Sequence, residues 1–398
     1  MIGLWDTTGS AVVKALAAER RSAGGVTSGL ALTLIVVTEE SEVRAAEAAA
    51  TVAAAQHPCR LLIVVRDEVT HARSRLDAEV VVGGRLGPCE AVVMRMRGRL
   101  ALHAESVVMP LLASDVPVVT WWRCAPPDRI AYDPLGVVAE RRITDTMQCD
   151  DPLEALRERA EDYAPGDTDL AWTRITPWRT LVASVFDAAH SLPASITIDA
   201  PENNPSAMLM GGWLRSRLGI VPETRPESGA QYLQGVTMQM RDGGTVKVER
   251  ENGSVVVRRT GLPDRALPLS KRSLGDDLAE ELRRLDPDPT YAAALASATG
   301  INGFQGRSPH RVHVWHDPAL AERPDTANVA GSDTGATGET GATVDTSAAG
   351  ATVRSIDTGE TGYSGPAAEP PKTTSPTGAA RVTGEMEAEG DTRAPAGE

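Results

Sequence analysis

Nucleophilic chemistry has one candidate residue in this sequence, Cys59. His57 and Arg60 lie close to it, and neighbouring cationic groups lower the pKa of a thiol and favour the reactive thiolate. The alternative, which we favour, is that Cys59 is a small packed residue at the start of a buried strand. The four cysteines of the chain form no C-x-x-C pair and match no zinc-ligand spacing, so we expect reduced thiols without a stable disulfide.

Anion binding is a second candidate chemistry, at the start of a predicted helix that follows Asp199. In open α/β sheets ligands bind between the end of a strand and the next helix, and a helix N-terminus attracts negative charge. Asn204 and Ser206 lie at that position, and Arg215 and Arg217 on the same helix could add phosphate contacts. The alternative, which we favour, is that the Asp and Asn side chains only turn the chain and cap the helix.

Tryptophan and arginine are concentrated near the junction of the two predicted folded regions. Both residue types are enriched at the positions that dominate the energetics of protein interfaces. Packing in the core is an equal alternative for each tryptophan. The candidates for a partner or domain interface are Trp121, Trp122, Arg123, Trp172, Arg174, Trp178, Arg179 and Trp213.

The stretch 241–272 is basic within an acidic chain. It holds eight basic and four acidic residues, whereas the whole chain has a formal net charge of −14. Such a stretch is usually a solvated sheet face, and the alternative is a docking surface for an acidic partner. The negative charge of the whole chain argues against a nucleic-acid partner.

The usual signatures of catalysis and metal binding are missing. We find no phosphate-binding G-x-x-x-x-G-K-[ST], no G-x-G-x-x-G after the first strand, no G-x-S-x-G and no H-E-x-x-H. The glycines at 83–87 have the spacing of a turn. His310, His313 and His316 lie in a sequence that alternates like a strand or an extended arm, which we favour over a metal site. We therefore predict no catalytic residue, no metal and no cofactor.

The elements that must position these residues alternate between strand and helix in the first part of the chain. Leu30–Val37 is a continuous apolar run, typical of a strand buried on both faces. Ser41–Gln56 is an alanine-rich helix that Ser41 can cap, and Arg60–Val65 is the next strand. Further strands at Ala78–Val82, Ala91–Met96 and Val116–Trp122, with a helix at Arg99–Ala113, complete the pattern. This pattern predicts an α/β fold with an N-terminal, mostly parallel, Rossmann-like sheet.

A second region has helices that begin at capping residues followed by proline. These pairs are Asp151-Pro152, Thr176-Pro177, Asn204-Pro205 and Asp288-Pro289. Gly219 is expected to end the helix that starts at Pro205. Between the helices, the strands Val236–Arg241, Thr245–Arg250 and Ser254–Thr260 are separated by Asp-Gly-Gly and Glu-Asn-Gly turns. We predict a second, α+β domain with an antiparallel meander.

The predicted organisation has four parts. Residues 1–163 form the N-terminal α/β domain, 164–305 the C-terminal α+β domain, 306–323 an extended arm and 324–398 a disordered acidic tail. The tail has 12 acidic and 4 basic residues and too little apolar surface to offset its ordering entropy. The chain contains no run long enough to span a membrane, and its start does not resemble a signal peptide, so we expect a cytoplasmic protein without membrane contact.

Four segments carry a resemblance to a known family. They are His57–Arg60, the stretch from His103 to Trp122, Gly212–Gly219 and, most specific, the sequence DLAWTRITPWR at Asp169–Arg179. Over residues 1–305 the chain resembles the OpcA-type glucose-6-phosphate dehydrogenase assembly proteins. The resemblance implies a non-catalytic assembly factor and activator that binds glucose-6-phosphate dehydrogenase and feeds the oxidative pentose phosphate pathway.

The resemblance supplies no catalytic residue to carry over to this chain. Photosynthetic relatives respond to redox state, but we match their cysteines to none of Cys59, Cys89, Cys124 and Cys149. Two alternatives stay open: a sugar-phosphate-binding enzyme such as a phosphogluconolactone hydrolase, and a non-catalytic sugar-phosphate sensor. A sugar-phosphate effector is a candidate second partner.

Overall fold

The computed structural model describes residues 2–23, 29–67, 73–83, 90–123, 125–186, 191–269 and 272–311 of the 398-residue chain. Several predicted features lie wholly or partly outside these residues, namely the glycine turn at 83–87, Cys89, Cys124, His313, His316, the arm at 306–323 and the tail at 324–398.

An eight-stranded sheet forms from the apolar runs of the first part of the chain. Its strands are β1 (Ile2–Leu4), β2 (Leu32–Thr38), β3 (Cys59–Asp67), β4 (Arg75–Val82), β5 (Glu90–Arg97), β6 (Val118–Trp122), β7 (Arg141–Thr144) and β8 (Asp167–Asp169). The strand order is β1-β4-β5-β3-β2-β6-β7-β8, and the run from β5 to β8 is parallel throughout. Every residue of the central strand β2 is buried, because helices cover both faces of the sheet.

Helices lie on both faces of this sheet. They are α1 (Gly9–Ser22), α2 (Val43–Gln56), α3 (Arg99–Leu102), α4 (Glu105–Val108) and α10 (Leu274–Glu281). One apolar cluster contains residues of α1, α3 and α4, and the cluster on the other face contains residues of α2 and α10. Helix α10 approaches α2 closely, since a Cβ atom on Gly275 would lie 2.8 Å from the carbonyl oxygen of Ala49. Three further helices, α5 (Pro134–Val137), α6 (Pro152–Glu161) and α7 (Leu170–Arg174), connect β6, β7 and β8 or follow β8.

A second sheet contains the predicted meander. Its strands are β9 (Pro193–Ala200), β10 (Glu223–Pro226), β11 (Gly235–Met240), β12 (Thr245–Glu251), β13 (Ser254–Arg259) and β14 (Arg265–Pro268), in the order β10-β9-β11-β12-β13-β14. Only β10 and β9 pair in parallel. One face of the sheet shares an apolar cluster with α8 (Thr176–Phe186), α9 (Pro205–Leu218) and α11 (Pro289–Thr299). On β12, Val246 and Val248 point into this cluster, and the alternating Lys247 is partly exposed.

The predicted fold class is confirmed: a parallel-rich sheet is followed by a second, mostly antiparallel sheet. The side chains of Asp151, Asn204 and Asp288 each accept a backbone N–H from the first turn of the helix that follows, as predicted. Gly219 ends α9 with a φ of 69°, a left-handed conformation that glycine adopts without steric cost.

Two predicted helix details are wrong. Ser41 does not cap α2, because it lies inside a 3₁₀ turn at Glu40–Glu42 that precedes the helix. The single helix predicted at Arg99–Ala113 is divided into α3, α4 and a 3₁₀ turn at Met109–Leu111. Pro110 lies in that last turn and has no N–H to continue an α-helical pattern.

The sequence does not predict β7 and β8. The position of β8 bears on the predicted boundary between the two domains. Arg141 and Arg142 give β7 a polar appearance although both are buried. Strand β8 belongs to the first sheet, and α10 packs on α2, although both elements follow residue 163. These two elements lie beyond the predicted boundary but pack with the first domain's elements, and the division at residues 163 and 164 stays a prediction.

Candidate functional site

The first sheet has the strand order of dinucleotide-binding folds. Numbered by their occurrence among the parallel strands, β5-β3-β2-β6-β7-β8 read 3-2-1-4-5-6. In such sheets the order reverses beside the first strand, and ligands bind in the crevice outside the carboxyl ends of the strands at that point. Here the crevice lies at the carboxyl ends of β2 and β6.

The turn that follows β2 is acidic where dinucleotide-binding sheets have a glycine-rich phosphate loop. Glu39, Glu40 and Glu42 follow the strand directly and precede the first residue of α2. The Oε2 atom of Glu42 lies 3.0 Å from Nη2 of Arg123, which follows β6. The backbone N–H of Arg123 also donates to the carbonyl oxygen of Val37 at 2.9 Å. An ion pair and a backbone hydrogen bond therefore connect β2 and β6 across the crevice.

A second ion pair lies on the other side of β2. Arg95, on β5, has its Nε atom 2.7 Å from Glu40 and its Nη1 atom 2.7 Å from Glu79. The carboxylates at the start of α2 therefore lie where a pyrophosphate group would meet the positive end of the helix dipole. Their negative charge opposes the binding of a phosphate there.

The segment Asp169–Arg179 begins at the end of β8, at the same edge of the sheet. Asp169 has no exposed surface, and its carboxylate accepts hydrogen bonds from Thr144 Oγ1 at 2.7 Å, from Thr146 N at 3.0 Å and from Ala171 N at 2.8 Å. Burial, and then the nearby charge of Asp145, raise the pKa of Asp169. Asp169 thus caps α7 and fixes the loop after β7.

Arg174 connects three elements at the end of α7. It donates two hydrogen bonds to Asp145 after β7, and its Nε atom lies 3.3 Å from Asp277 on α10. Burial alone would lower the pKa of Arg174, but the hydrogen bonds and charge of Asp145 outweigh it and the pKa is raised. Burial raises the pKa of Asp277 to about 6, although Arg174 acts in the opposite direction.

Thr173 takes part in a second buried contact with α10. Its hydroxyl donates to Glu281 at 2.5 Å, and Arg141 of β7 forms an ion pair with the other carboxylate oxygen of Glu281. Arg141 also donates to the backbone carbonyl of Asp286 at 2.8 Å. The polar residues of this segment therefore join the first sheet to α10 and the loop after it.

Trp172 and Arg179 stack on each other in the same segment. The guanidinium carbon of Arg179 lies 3.4 Å from the ring centroid of Trp172, and the indole N–H donates to Asp288 at 2.9 Å. Burial lowers the pKa of Arg179 to about 10. Trp172 is only 2% exposed and also contacts the ring of Tyr291 on α11. Trp172 thus attaches the segment to α11, and Arg179 stacks on it from within the segment.

The other tryptophans predicted at an interface lie mainly in the core. Trp121 and Trp122 are at most 1% exposed and point to opposite faces of the first sheet, and Trp178 is 2% exposed beneath the second sheet. Trp213 is partly buried against the same core. Among the tryptophans that the structure describes, Trp5 has a large exposed fraction, 68%. Trp5 is not among the interface residues predicted from the sequence, and its position directly after a three-residue edge strand is the signal that could have indicated it.

The four residues predicted to form an anion site are not brought together. Asn204 accepts the N–H of Ala207 at 2.9 Å, and the hydroxyl of Ser206 donates to the carbonyl of Ala171 at 2.8 Å. Arg215 and Arg217 lie in the last turn of α9, where they contact Ser297 and Thr290 on α11. Asn204 therefore caps α9, as the alternative interpretation predicted. Arg215 and Arg217 lie at the C-terminal end of α9, whereas the anion site was predicted at its N-terminus.

The two cysteines that the structure describes lie in surroundings that do not favour a reactive thiolate. Cys59 has no exposed surface and lies in an apolar cluster of the first sheet. Burial raises the pKa of Cys149 to about 11, which disfavours its thiolate. Within the residues that the structure describes, no group of three metal-ligating side chains occurs, and no helix is long and apolar enough to cross a membrane.

Two basic residues of the stretch at 241–272, Lys247 and Arg258, pair with acidic neighbours on the meander. Arg258 bonds Glu251 at 2.9 Å and Asp264 at 3.0 Å, and both Arg258 and Lys247 form ion pairs with Glu249. These contacts match the interpretation of a solvated sheet face.

The fold and the crevice define a two-sheet α/β protein whose Rossmann-like sheet carries carboxylates at the phosphate position. Two family models match the chain, and both describe a glucose-6-phosphate dehydrogenase subunit. The model of its N-terminal domain matches residues 50–161, and the model of its C-terminal domain matches residues 165–295. The chain therefore belongs to the OpcA-type glucose-6-phosphate dehydrogenase assembly family, and the resemblance found in the sequence is confirmed.

Curated relatives carry the same family name. "Putative OxPP cycle protein OpcA" of Synechococcus elongatus is 30% identical over 222 residues, which are 53% of this chain and 47% of that protein. The protein of the same name from Synechocystis sp. is 26% identical over 184 residues, 42% of this chain and 39% of that protein. The chain thus spans about half the length of the curated relatives it matches.

The solved structures that match the chain are more distant. UDP-N-acetylglucosamine 3-dehydrogenase GnnA from Acidithiobacillus ferrooxidans is 12% identical with a TM-score of 0.31, over 68% of this chain and 96% of that one. KijD10, a 3-ketoreductase from Actinomadura kijaniata, is 13% identical with a TM-score of 0.34, over 70% of this chain and 98% of that one.

Proposed function

We propose that the protein is a non-catalytic assembly factor and activator that binds glucose-6-phosphate dehydrogenase in the oxidative pentose phosphate pathway. The observation that carries the proposal is the acidic start of α2, where Glu42 pairs with Arg123 across the ligand crevice and Glu40 pairs with Arg95 on the other side of β2. A dinucleotide would have to place its phosphates against these carboxylates. The family descriptions and the names of the curated relatives support the choice of partner.

The segment Asp169–Arg179 supports a structural rather than a catalytic role for the most family-specific residues. Asp169, Trp172, Thr173 and Arg174 all use their polar atoms in contacts with other elements of the chain. A sugar-phosphate hydrolase would need a base beside a phosphate clamp, and the clamp predicted at α9 is divided between the two ends of that helix. The hydrolase alternative therefore has less support than the assembly factor.

The proposed partner is a protein in the cytoplasm. The net charge of −14 disfavours nucleic acid. Because four of the five tryptophans predicted at an interface are buried, we assign the partner contact to exposed side chains, and Trp5 is the largest exposed apolar side chain among the described residues.

The direct test combines binding and kinetics. The full chain and purified glucose-6-phosphate dehydrogenase are mixed at micromolar concentration and separated by size exclusion, and the rate of the dehydrogenase is measured with and without the chain. We expect a joint peak and a higher rate. Two separate peaks together with unchanged kinetics would reject the proposal.

Exclusion of a dinucleotide from the crevice can be tested on the chain alone. Titration with NADP⁺, followed by tryptophan fluorescence and calorimetry, is expected to show no saturable binding at millimolar concentration. Saturable binding would mean that the carboxylates at the start of α2 do not exclude a dinucleotide, and the non-catalytic part of the proposal would be withdrawn.

A further inference from the structure

A groove opens at the amino ends of the parallel strands, at the edge of the first sheet opposite the crevice. Its volume is about 500 Å³, within the range of roughly 300–1,000 Å³ that is typical of small-molecule sites. Helix α1 forms one wall with Leu16 and Arg20. Leu30 before β2, Arg60 at the start of β3, and Leu112 and Ser114 before β6 form the rest.

The charge of the described groove lining is positive. Its charged side chains are two arginines, Arg20 and Arg60, and no acidic residue is among them. Arg60 is 6% exposed, whereas the side chain of Arg20 is 41% exposed. A concave, partly desolvated site with two guanidinium groups attracts an anion more strongly than an exposed pair of lysines would.

A carboxylate behind the groove holds both arginines in place. Glu90 has no exposed surface, and its two oxygens lie 2.7 Å from Nε of Arg20 and 2.8 Å from Nε of Arg60. Arg60 also donates from Nη1 to the carbonyl oxygen of Leu111 at 2.8 Å. These contacts fix the orientation of the two guanidinium groups, and the carboxylate of Glu90 competes with an anionic ligand for their positive charge.

We propose that this groove binds a small organic anion with a phosphate head, a phosphate monoester. Guanidinium groups match the geometry of a phosphate through parallel N–H donors. Leu16, Leu30 and Leu112 offer apolar contact, and Ser114 a hydroxyl, to the organic part of the ligand. The proposal does not depend on the dehydrogenase, since the groove belongs to this chain alone.

Calorimetry on the full chain without the dehydrogenase tests the proposal. Glucose 6-phosphate serves as the phosphate monoester, inorganic phosphate as the isolated head, and glucose as the uncharged body. We expect saturable binding of glucose 6-phosphate, weaker binding of inorganic phosphate and none of glucose. No saturable binding of either phosphate at millimolar concentration would overturn the site, and equal affinity for both would overturn its assignment to an organic anion.

Two variants test whether the ligand binds in the groove. Arg20→Gln removes one positive charge from a half-exposed position and is expected to weaken glucose 6-phosphate binding about tenfold or more, as the loss of a charge-assisted hydrogen bond does. Arg157→Gln, on the exposed face of α6, is the matched control and is expected to change nothing. An Arg20→Gln chain that binds as the unaltered chain does would overturn the proposal.

Glu90→Gln is expected to strengthen binding of the phosphate monoester, whereas Arg20→Gln weakens it. It keeps the shape of the side chain but removes the negative charge that competes for both arginines, so a folded Glu90→Gln chain should bind the phosphate monoester several-fold more tightly. Unchanged or weaker binding by a folded variant would contradict the proposal. If thermal melting shows that Glu90→Gln does not fold, the Arg20→Gln comparison decides alone.

Discussion

Arg174 donates two parallel hydrogen bonds to the carboxylate of Asp145, at 2.6 and 2.7 Å. The Asp145 side chain is 1% exposed and that of Arg174 is 21% exposed, so the pair lies largely out of water. Asp277 adds a second carboxylate 3.3 Å from Nε of the same arginine. The loop after β7, the end of α7 and the start of α10 are therefore held by one guanidinium group.

Replacing this arginine is expected to destabilise the fold strongly. Arg174→Ala leaves two buried carboxylates without their cation, a change that typically lowers the free energy of unfolding by about 3–5 kcal/mol. Urea denaturation monitored by tryptophan fluorescence measures the loss. The control is Arg157→Ala, which removes an exposed pair with Glu154 and should cost about 0–1 kcal/mol. Similar small losses in both variants would show that the Arg174 contacts contribute little.

Asp277 should make the stability of the protein depend on pH in the acidic range. Its pKa in the folded chain is raised to about 6 from the ordinary aspartate value of 3.8. Between these two values the unfolded chain has already lost the proton that the folded chain still holds. The contribution of Asp277 is therefore most favourable below about pH 4 and declines as pH rises to about 6, by up to about 3 kcal/mol.

Comparing the unaltered chain with Asp277→Asn isolates this contribution. The variant cannot ionise at position 277, so its free energy of unfolding should fall less between pH 4 and pH 6 than that of the unaltered chain. Other carboxylates titrate in both chains and cancel in the difference. Parallel pH profiles for the two chains would contradict the raised pKa.

Replacing Trp178 with alanine should affect stability, whereas replacing Trp5 with alanine should affect partner binding. Trp178 is 2% exposed, and Trp178→Ala is expected to cost about 3–5 kcal/mol, as large-to-small changes in a core do. Trp5 is 68% exposed, and Trp5→Ala should leave the melting temperature nearly unchanged while weakening binding to glucose-6-phosphate dehydrogenase. A thermal melt beside the activation assay separates the two effects. Unchanged activation by the Trp5→Ala chain would remove Trp5 from the proposed contact.

The sequence predicts well the elements whose residue pattern matches their burial. Apolar runs mark β2, β3 and β6, and the alternation of Val246, Lys247 and Val248 marks β12. It does not predict β7, because the burial of Arg141 and Arg142 depends on Glu281 and Asp167, carboxylates that are distant in sequence. Composition likewise could not decide between interface and core for the tryptophans, since both environments favour a large rigid side chain.

The predicted anion site shows the same limit of sequence reasoning. Asn204 and Arg215 lie on one helix, but 11 positions along α9 correspond to roughly 16 Å at 1.5 Å per residue, too far for one phosphate. The groove proposed here instead combines Arg20, Arg60 and Glu90, which belong to three separate elements. Their proximity follows from the order of strands in the sheet, which no local pattern encodes.

Arg307 and Arg311 attach the chain to α6 shortly before the tail. Arg307 Nη1 donates to the carbonyl oxygens of Glu161 at 2.9 Å and Tyr163 at 2.8 Å, groups that the end of a helix leaves without partners. Arg311 forms ion pairs with Asp162 and Asp167, and its side chain is 5% exposed. These contacts close the end of α6 and the start of β8.

Truncation at two positions should therefore give different results. A chain that ends at residue 323 keeps both arginines and is expected to keep its melting temperature and its binding to the dehydrogenase, because the composition of residues 324–398 offers no apolar core. A chain that ends at residue 306 loses both, and each charged hydrogen bond is worth about 1.5–3 kcal/mol, so its melting temperature should fall by several degrees. Differential scanning calorimetry of both chains beside the full chain measures this. A drop of several degrees already at residue 323 would show that the tail contributes to the folded structure, and equal melting of all three chains would show that Arg307 and Arg311 stabilise nothing.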